Sequence, residues 1–387
     1  MAKNCEVDLF TLADRKGDLR YKSELEIYCR TVTVVKLSRP LAGLRAITSV
    51  FGRVPLTLPY FYSADLAAKV RRALSKRSYD RIFVYSSSMA QYVHLEDRIP
   101  ILIDLVDVDS DKWLQYSMRS AFPHSVIFRR EADCLRRYER KISEKASCVL
   151  LTTEREARVL RQITSSANVR VIPNGVDANY FAPVATQAQA AHPTVIFTGS
   201  MDYFPNVDAV EFFVRRVLPS IRRAVPNTQF LIVGSRPTRS VRRLAKLPGV
   251  QVTGSVPDVR PYLVQSHVFV APLLIASGTQ NKILEAMAMG LPVIATPRAI
   301  HGLPAILHDP VQVAESTQEW VAKTCHILRD PSLAQSLGAA GRQKVVDECS
   351  WEKHLSGLID LIQTPAARKE ADANRGPLPW LTGQRAS

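Results

Sequence analysis

The sequence is poor in groups that cross-link or hold metals. Its six cysteines, Cys5, Cys29, Cys134, Cys148, Cys325 and Cys349, form no C-x-x-C pair, and the eight histidines are dispersed. This speaks against a zinc site or a disulfide framework and fits a reducing cytoplasm. Acidic charge is also short. Asp and Glu number 36 against 51 Lys and Arg, so the formal charge is +15 and the isoelectric point is near 9.7. Such a field favours anionic partners: nucleic acid, acidic lipid surfaces or phosphorylated substrates. With no Cys/His finger and no aromatic-rich RNA motif, nucleic acid is the weaker of these. The sequence shows no signal peptide and no apolar run long enough to span a bilayer. It has no G-x-S-x-G elbow, no H-E-x-x-H, no Walker A loop, and no G-x-G-x-x-G after an early strand. The usual covalent, zinc-hydrolase, P-loop and dinucleotide chemistries therefore find no support. Length and composition, 387 residues with 46% hydrophobic, leave room for two domains with substantial cores.

The most organised stretch is 267–296, HVFVAPLLIASGTQNKILEAMAMGLPVIAT. It reads as strand (267–271), loop, helix (281–289), stop at Gly290 and Pro292, then strand (292–295). In such a βαβ unit the loop lies where open parallel sheets bind ligands. Ser277, Gly278 and Thr279 precede the helix: Ser or Thr can cap its first turn, and Gly lets a ligand approach the backbone. The open amides of that turn attract anions such as a pyrophosphate. Asn281, Lys282 and Glu285 project from one side, so Glu285 can accept bonds from two sugar hydroxyls and Lys282 can meet phosphate charge. The plainer reading, that Glu285 only favours the helix start and Lys282 is solvated, is equally open for these residues taken alone.

The segment SGTQNKILEAMAMGLPVIAT resembles the nucleotide-sugar motif of family-four retaining glycosyltransferases, in which two Glu stand eight positions apart. Glu285 matches the second, which in the family holds the ribose hydroxyls. The first, which contacts the donor sugar, falls on Ser277. The Gly-Thr-x-Asn-Lys variant resembles a subgroup associated with exopolysaccharide synthesis. The resemblance implies an α/β chain with the GT-B fold: two Rossmann-like domains facing each other across a cleft, with a C-terminal helix crossing back to the first. It implies the division 1–175 (acceptor side), 176–348 (nucleotide-sugar side), 349–363 (crossover helix) and 364–387 (disordered tail).

The remaining residues fit that frame. Strands are expected at 5–10, 31–37, 80–85, 100–105 and 147–151, and helices at 19–30, 41–51, 63–76, 112–119 and 126–145, an alternation that argues for a parallel sheet covered on both faces. The family ordinarily opens with a strand and a Gly-rich loop. No such loop precedes Cys5, so the resemblance implies that this sequence starts at the second strand. The loop DLVDVDSDKW (104–113) reads either as an Asp-rich helix start or as a metal loop, though it lacks the Gly and terminal Glu of a calcium site. By resemblance it is a catalytic-cleft loop, with Asp107, Asp109 and Lys112 as candidate contacts to acceptor or donor sugar. The segment 119–161 reads as a solvated Arg/Glu helix face or as a membrane-facing basic patch. By resemblance Glu139 and Arg140 form a structural Tyr-Glu-Arg motif, and VRVIPNGVD (169–177) marks the crossing into the second domain. Residues 186–192 read as a linker. Gly199 and Ser200 follow a strand (194–198) and can admit phosphate to the backbone, or form a plain turn. The residues after them carry no cation, which leaves Lys282 and helix amides to neutralise the pyrophosphate, with Gln280 and Asn281 as further candidate donor contacts. Val256 and Asp258 are implied neighbours of the donor base. The chain thus reads as a retaining transferase using a nucleotide-sugar, UDP-linked donor and a lipid-linked or glycan acceptor, with no bound metal or other cofactor. A peripheral place at an anionic membrane surface fits the charge. The alternative is a non-catalytic nucleotide binder or scaffold.

Overall fold

The computed structural model describes residues 5–13, 16–50, 52–95, 99–183 and 191–363. Most of the linker read at 186–192, and all of the tail 364–387, lie outside the described residues. The first half carries β1 (Asp8–Ala13), β2 (Thr31–Lys36), β3 (Ile82–Tyr85), β4 (Ile101–Val106), β5 (Cys148–Leu151) and β6 (Val169–Val171). The second carries β7 (Thr194–Thr198), β8 (Gln229–Val233), β9 (Val250–Gly254), β10 (Val268–Ala271), β11 (Val293–Ala295) and β12 (Val311–Val313).

The second half forms one sheet in the order β12-β11-β10-β7-β8-β9, with every pairing parallel. Its central strands, TVIFT and VFVA, are buried at every position, as expected when helices cover both faces. Phe197, Phe213, Phe230, Phe269 and Trp320 fill the core between sheet and helices. The chain leaves β7 toward one edge and β10 toward the other, so the crevice beyond their carboxyl ends is the sheet's switch point.

The first half is also α/β and parallel, but its strands fall into two sheets, β1-β2 and β3-β4-β5-β6. No residue of β1 is hydrogen-bonded to β3, and both strands are only half-buried over most of their length. The helix Trp351–Gln363 returns to this half. Leu358 packs on Leu102, Cys148 and Leu150, and the Arg81 Nε donates to the Ile362 carbonyl at 2.7 Å. These are two Rossmann-like domains tied by a crossover helix.

Three expectations change in detail, and one helix carries an irregular turn. The first strand is Asp8–Ala13 rather than 5–10. The helix expected at 19–30 is a 3-10 turn (Lys16–Tyr21) and a short helix (Lys22–Leu25), because Leu19, Tyr21, Leu25, Ile27 and Tyr28 are exposed and no core lies beneath them. The helix expected from Lys112 begins at Asp109, so Asp109 and Asp111 stand in its first turn, where carboxylates suit the dipole. The helix after β7 runs Phe204–Phe212 and Leu218–Ala224 with a π turn, Phe213–Val217, between them.

Candidate functional site

At the switch point β7 ends at Thr198 and passes into Gly199 and Ser200, while β10 ends at Ala271 and passes through loop 272–280 into the helix Asn281–Ala288. Ile283, Leu284 and Met287 are buried beneath this helix. That seating aims Lys282 back into the crevice. Its Nζ donates to Asn206 Oδ1 at 2.5 Å and stands 4.7 Å from the centre of the Phe197 ring. The Asn206 Nδ2 in turn donates to the Ser200 carbonyl at 2.9 Å, so one buried amide joins the Gly199–Ser200 turn to the lysine. Gly199 sits at φ +153, and a Cβ there would come within 3.2 Å of the Lys282 Nζ. The backbone of this turn is therefore bare where the cation points.

Burial in this apolar setting pulls the Lys282 ammonium down to about 7, opposed by the Glu285 charge. The same burial raises the Glu285 carboxyl, opposed by Lys282. Among the described residues no hydrogen-bond donor meets the Glu285 carboxylate, and Lys282 acts on it without a direct ion pair. It is a half-buried acceptor without a partner.

The helix start differs from expectation. Gln280 occupies the N-cap without a side-chain cap bond, and its Nε2 donates to the Ser277 carbonyl at 3.0 Å. Neither Ser277 nor Thr279 caps: the Ser277 Oγ and Thr279 Oγ1 are buried with no partner. The helix start has no side-chain cap, the Ile283 amide turns back to the Gln280 carbonyl at 2.9 Å, and two hydroxyls are held dry beside it, a costly state unless another group completes it. Asn281 is exposed and accepts from the Asn174 Nδ2 at 2.9 Å, across the junction of the two domains.

The cation missing from the residues after Gly199 arrives from elsewhere. Arg236, in the turn after β8, donates to Ser200 Oγ at 2.6 Å and pairs with Asp202 at 3.1 Å. In sequence it is only a residue beyond a strand. Asn206 also escapes sequence reasoning. The one signal for it is an amide in the first turn of a helix that is otherwise apolar.

From the first domain comes the 104–112 turn. A register shift after Asp104 and a left-handed Val106 (φ 65) bend the end of β4 and re-aim the chain. Two buried carboxylates, unremarked or read only as structural in the sequence, pin this turn. Glu156 accepts from the Val108 amide at 2.8 Å, and Glu139 accepts from the Ser110 amide at 3.0 Å and its hydroxyl at 2.5 Å. Asp107 then reaches across the cleft. A Cβ on Gly278 would collide with Asp107 Oδ1 and lie 3.1 Å from Thr152 Oγ1. This Oδ1 has no partner, and burial, helped by the Glu156 charge, pushes the Asp107 carboxyl up to about 7. Asp109 and Lys112 are occupied with each other at 2.5 Å, and Asp109 also accepts from Ser87 Oγ at 2.7 Å. Farther along, Arg119 pairs with Asp208 at 3.5 Å and Tyr116 meets Phe204 edge-on, closing the two domains at that side.

The geometry thus gathers Gly199, Ser200, Ser277, Gly278, Thr279, Lys282, Glu285 and Asp107 around one crevice. Asp258 is not free: it is bound by Arg260 at 2.7 Å, whose guanidinium lies over Tyr180, while Val256 packs half-buried against the second domain's core.

Comparison with known proteins agrees with the two-domain fold. The family described as Glycosyltransferase Family 4 matches residues 1–180, and the one described as Glycosyl transferases group 1 matches residues 192–330. The chain belongs to the group 1, family 4 glycosyltransferases. These are GT-B enzymes, retaining hexosyltransferases as a family. The relatives of this family-4 chain include the gpi3 subunit of the phosphatidylinositol N-acetylglucosaminyltransferase of Schizosaccharomyces pombe, 31% identical over 163 residues, 40% of this chain and 34% of that protein. Another is a GDP-mannose-dependent alpha-(1-6)-phosphatidylinositol monomannoside mannosyltransferase of Mycolicibacterium smegmatis, 27% identical over 60% of this chain and 65% of that one. The match thus spans between about a third and two thirds of the curated relatives' own lengths. Among solved structures, the sucrose-phosphate synthase of Thermosynechococcus elongatus superposes with a TM-score of 0.63 at 22% identity, covering 79% of this chain and 77% of that one. HepE of Anabaena in complex with UDP gives 0.63 at 14% identity, covering 92% and 99%. At these identities the likeness concerns the fold.

Proposed function

We propose that this family-4 chain transfers a sugar, with retention, from a UDP-linked donor to a lipid-linked or polysaccharide acceptor, in exopolysaccharide synthesis at the cytoplasmic face of a membrane. The observation that carries the reading is the pairing of Lys282 and Glu285 at the switch point: a buried cation beside a bare glycine turn, and one helical turn on, a carboxylate without a donor. In this reading the ribose hydroxyls donate to Glu285. Lys282, Arg236, the Gly199–Ser200 backbone and the start of the helix Asn281–Ala288 surround the two phosphates. As the sugar–phosphate bond breaks, charge grows on the leaving diphosphate, and these preorganised groups stabilise it in a site with little water. Asp107, set against Gly278 by closure of the two domains, faces the sugar side. Val256 and Asp258 stand near the base, Asp258 held by Arg260.

Two further features support a membrane-borne acceptor. The helix Arg39–Thr48 presents Leu41, Leu44 and Ile47 to solvent, at 60%, 60% and 66% exposure. Arg130 fastens the end of that helix to the helix His124–Lys145 by donating to the carbonyls of Ser49, Gly52 and Val54. Val54, Val126, Phe122 and Met118 of the same domain are likewise exposed. Monomers seldom leave so much apolar side chain in water, and a bilayer interface covers it. Arg130 itself is spent on these carbonyls, which removes it from any basic patch. Among the described residues no helix is long and apolar enough to cross a membrane. The relatives named above act, by their names, on phosphatidylinositol-based lipids.

Calorimetric titration with UDP tests the donor reading. Wild type should bind, and Glu285→Ala should weaken binding about tenfold or more, the loss of hydrogen bonds to a charged acceptor. Unchanged affinity in the variant sinks the proposal. The split between β1-β2 and β3–β6 favours a second reading, a nucleotide-binding scaffold without transfer. UDP binding with no release of UDP from any donor, in the presence of lipid acceptors, would select it.

A further inference from the structure

Beside the sugar end of the crevice lies a second concavity, of about 230 Å³, lined by Arg155, Ala276, Arg298 and His301. Its wall belongs to both domains. Arg155 stands in the first turn of the helix Glu154–Ile163, which follows β5, and Ala276 is the residue before Ser277. Arg298 and His301 come from the short helix Pro297–Ile300 and its C-cap, beyond β11. All of these lie past the carboxyl ends of their strands, the side on which the crevice opens.

The lining is basic, and the part of it from the second domain is unneutralised. Among the described residues neither the Arg298 nor the His301 side chain has a hydrogen bond or an ion pair, and both are exposed to the concavity rather than folded against acidic neighbours. Arg155 is different. Asp111 at 2.8 Å and Glu156 at 2.6 Å hold its guanidinium from behind and so fix its place in the wall. Next to Ala276 stands the buried, unpartnered Ser277 hydroxyl. A rigid guanidinium from one domain, a free one from the other and an imidazole line a space large enough for a tetrahedral or planar oxyanion.

We infer that this concavity binds an anionic group, phosphate or carboxylate, borne by one of the two substrates on the sugar side of the site. The inference rests on the nucleotide-sugar reading for the location of that side. A neutral hexose moved between neutral partners has no use for this wall, whereas a uronic acid on the donor, or a phosphate next to the acceptor hydroxyl, would be oriented by it. Because the wall is shared, such a group also draws the two domains together.

The test uses the full chain with matched pairs of probes in calorimetry. The donor pair is UDP-glucuronate against UDP-glucose, and the acceptor pair is farnesyl diphosphate against farnesol. Both are titrated into wild type, Arg298→Gln and His301→Gln, with UDP as the reference. No side-chain bond of Arg298 or His301 holds the fold, so both variants should melt like wild type. On wild type the charged member of one pair should bind about tenfold tighter than its neutral twin, the worth of one charge-assisted hydrogen bond. Arg298→Gln should bring that ratio close to one while leaving UDP affinity unchanged. The pair that shows the effect identifies the source of the anion. If neither pair shows a charge preference that Arg298→Gln removes, the inference is overturned. Failure of UDP to bind wild type would instead overturn the donor reading, and the prenyl pair would then decide the concavity alone.

Discussion

The Lys282 ammonium titrates near 7 in the folded chain, against 10.5 for a free lysine. Below about 7 it is charged in both states, and the full cost of burying that charge weighs against folding. Between the two values the unfolded chain holds a proton that the native one has shed, so stability rises with pH across this window. Lys282→Met should therefore melt higher than wild type at pH 6.5, and the difference should shrink by pH 9.5, with thermal unfolding as the measurement. The same variant should lose UDP binding, the stability–function trade expected of a site residue. In wild type at pH 8.5, UDP should bind with net proton uptake, read by calorimetry in buffers of different ionisation heat. Gly278 allows an independent check. It sits at φ +58 with Asp107 pressed against it, so Gly278→Ala should cost about 1–2 kcal/mol of stability from the left-handed backbone. A loop displaced by an ångström should cut transfer about a hundredfold. Steady-state rates and melting together separate the two effects. Lys282 and Glu285 are legible in the sequence because both lie within one short helix whose apolar spacing fixes which way they face. Arg236 and Asn206 are not, because their meaning arises only when β8 and the helix after β7 come to lie beside the same turn.

At the scale of elements, the helix Asn281–Ala288 is readable from its composition and its Gly-Leu-Pro stop, and the strands β7 and β10 from their short apolar runs. The π turn at Phe213–Val217 leaves no mark in the sequence, since a one-residue slip in hydrogen bonding keeps Phe213, Val214 and Val217 buried just as a regular helix would keep most of them. The separation of β1-β2 from β3–β6 is likewise invisible to periodicity, which reports a strand but not its neighbour. The crossover helix is the element whose energetic weight is most readily measured. Leu358 is its buried residue, seated on Leu102, Cys148 and Leu150 of the first domain's sheet. Leu358→Ala should cost roughly 2–4 kcal/mol through lost burial and the cavity left behind. Because the helix joins the domains, denaturant unfolding of the variant should resolve the first domain melting ahead of the second. A single transition with no loss of midpoint would show that the helix does not clamp the sheet.

For the whole molecule, the charge of +15 is unevenly placed. From residue 212 to 257 there are nine basic residues and no acidic one. Arg215, Arg216, Arg222 and Arg223 edge a cavity of about 550 Å³ with Leu247 and Pro248, the residues that lead into β9. The amino ends of β8 and β9 lie there, so this pole is opposite the crevice. The apolar surface on Leu41, Leu44, Ile47 and Phe122 belongs instead to the first domain, where the helix starting at Asp109 connects it to the cleft. The two surfaces act over different ranges. Fixed charge attracts an anionic bilayer from a distance set by the Debye length, about 8 Å at physiological salt, and the attraction fades as salt rises. Buried apolar side chains contribute only on contact and are indifferent to salt, at about 25 cal/mol per Å². Reversing Arg215 and Arg216 to Glu should therefore weaken sedimentation with phosphatidylglycerol vesicles at low salt and change little at about 150 mM. Leu44→Ser combined with Ile47→Ser should remove binding at both salt concentrations while leaving UDP affinity intact, because neither residue faces the crevice. If the two pairs responded to salt in the same way, the first domain's apolar surface would not be the one that enters the membrane.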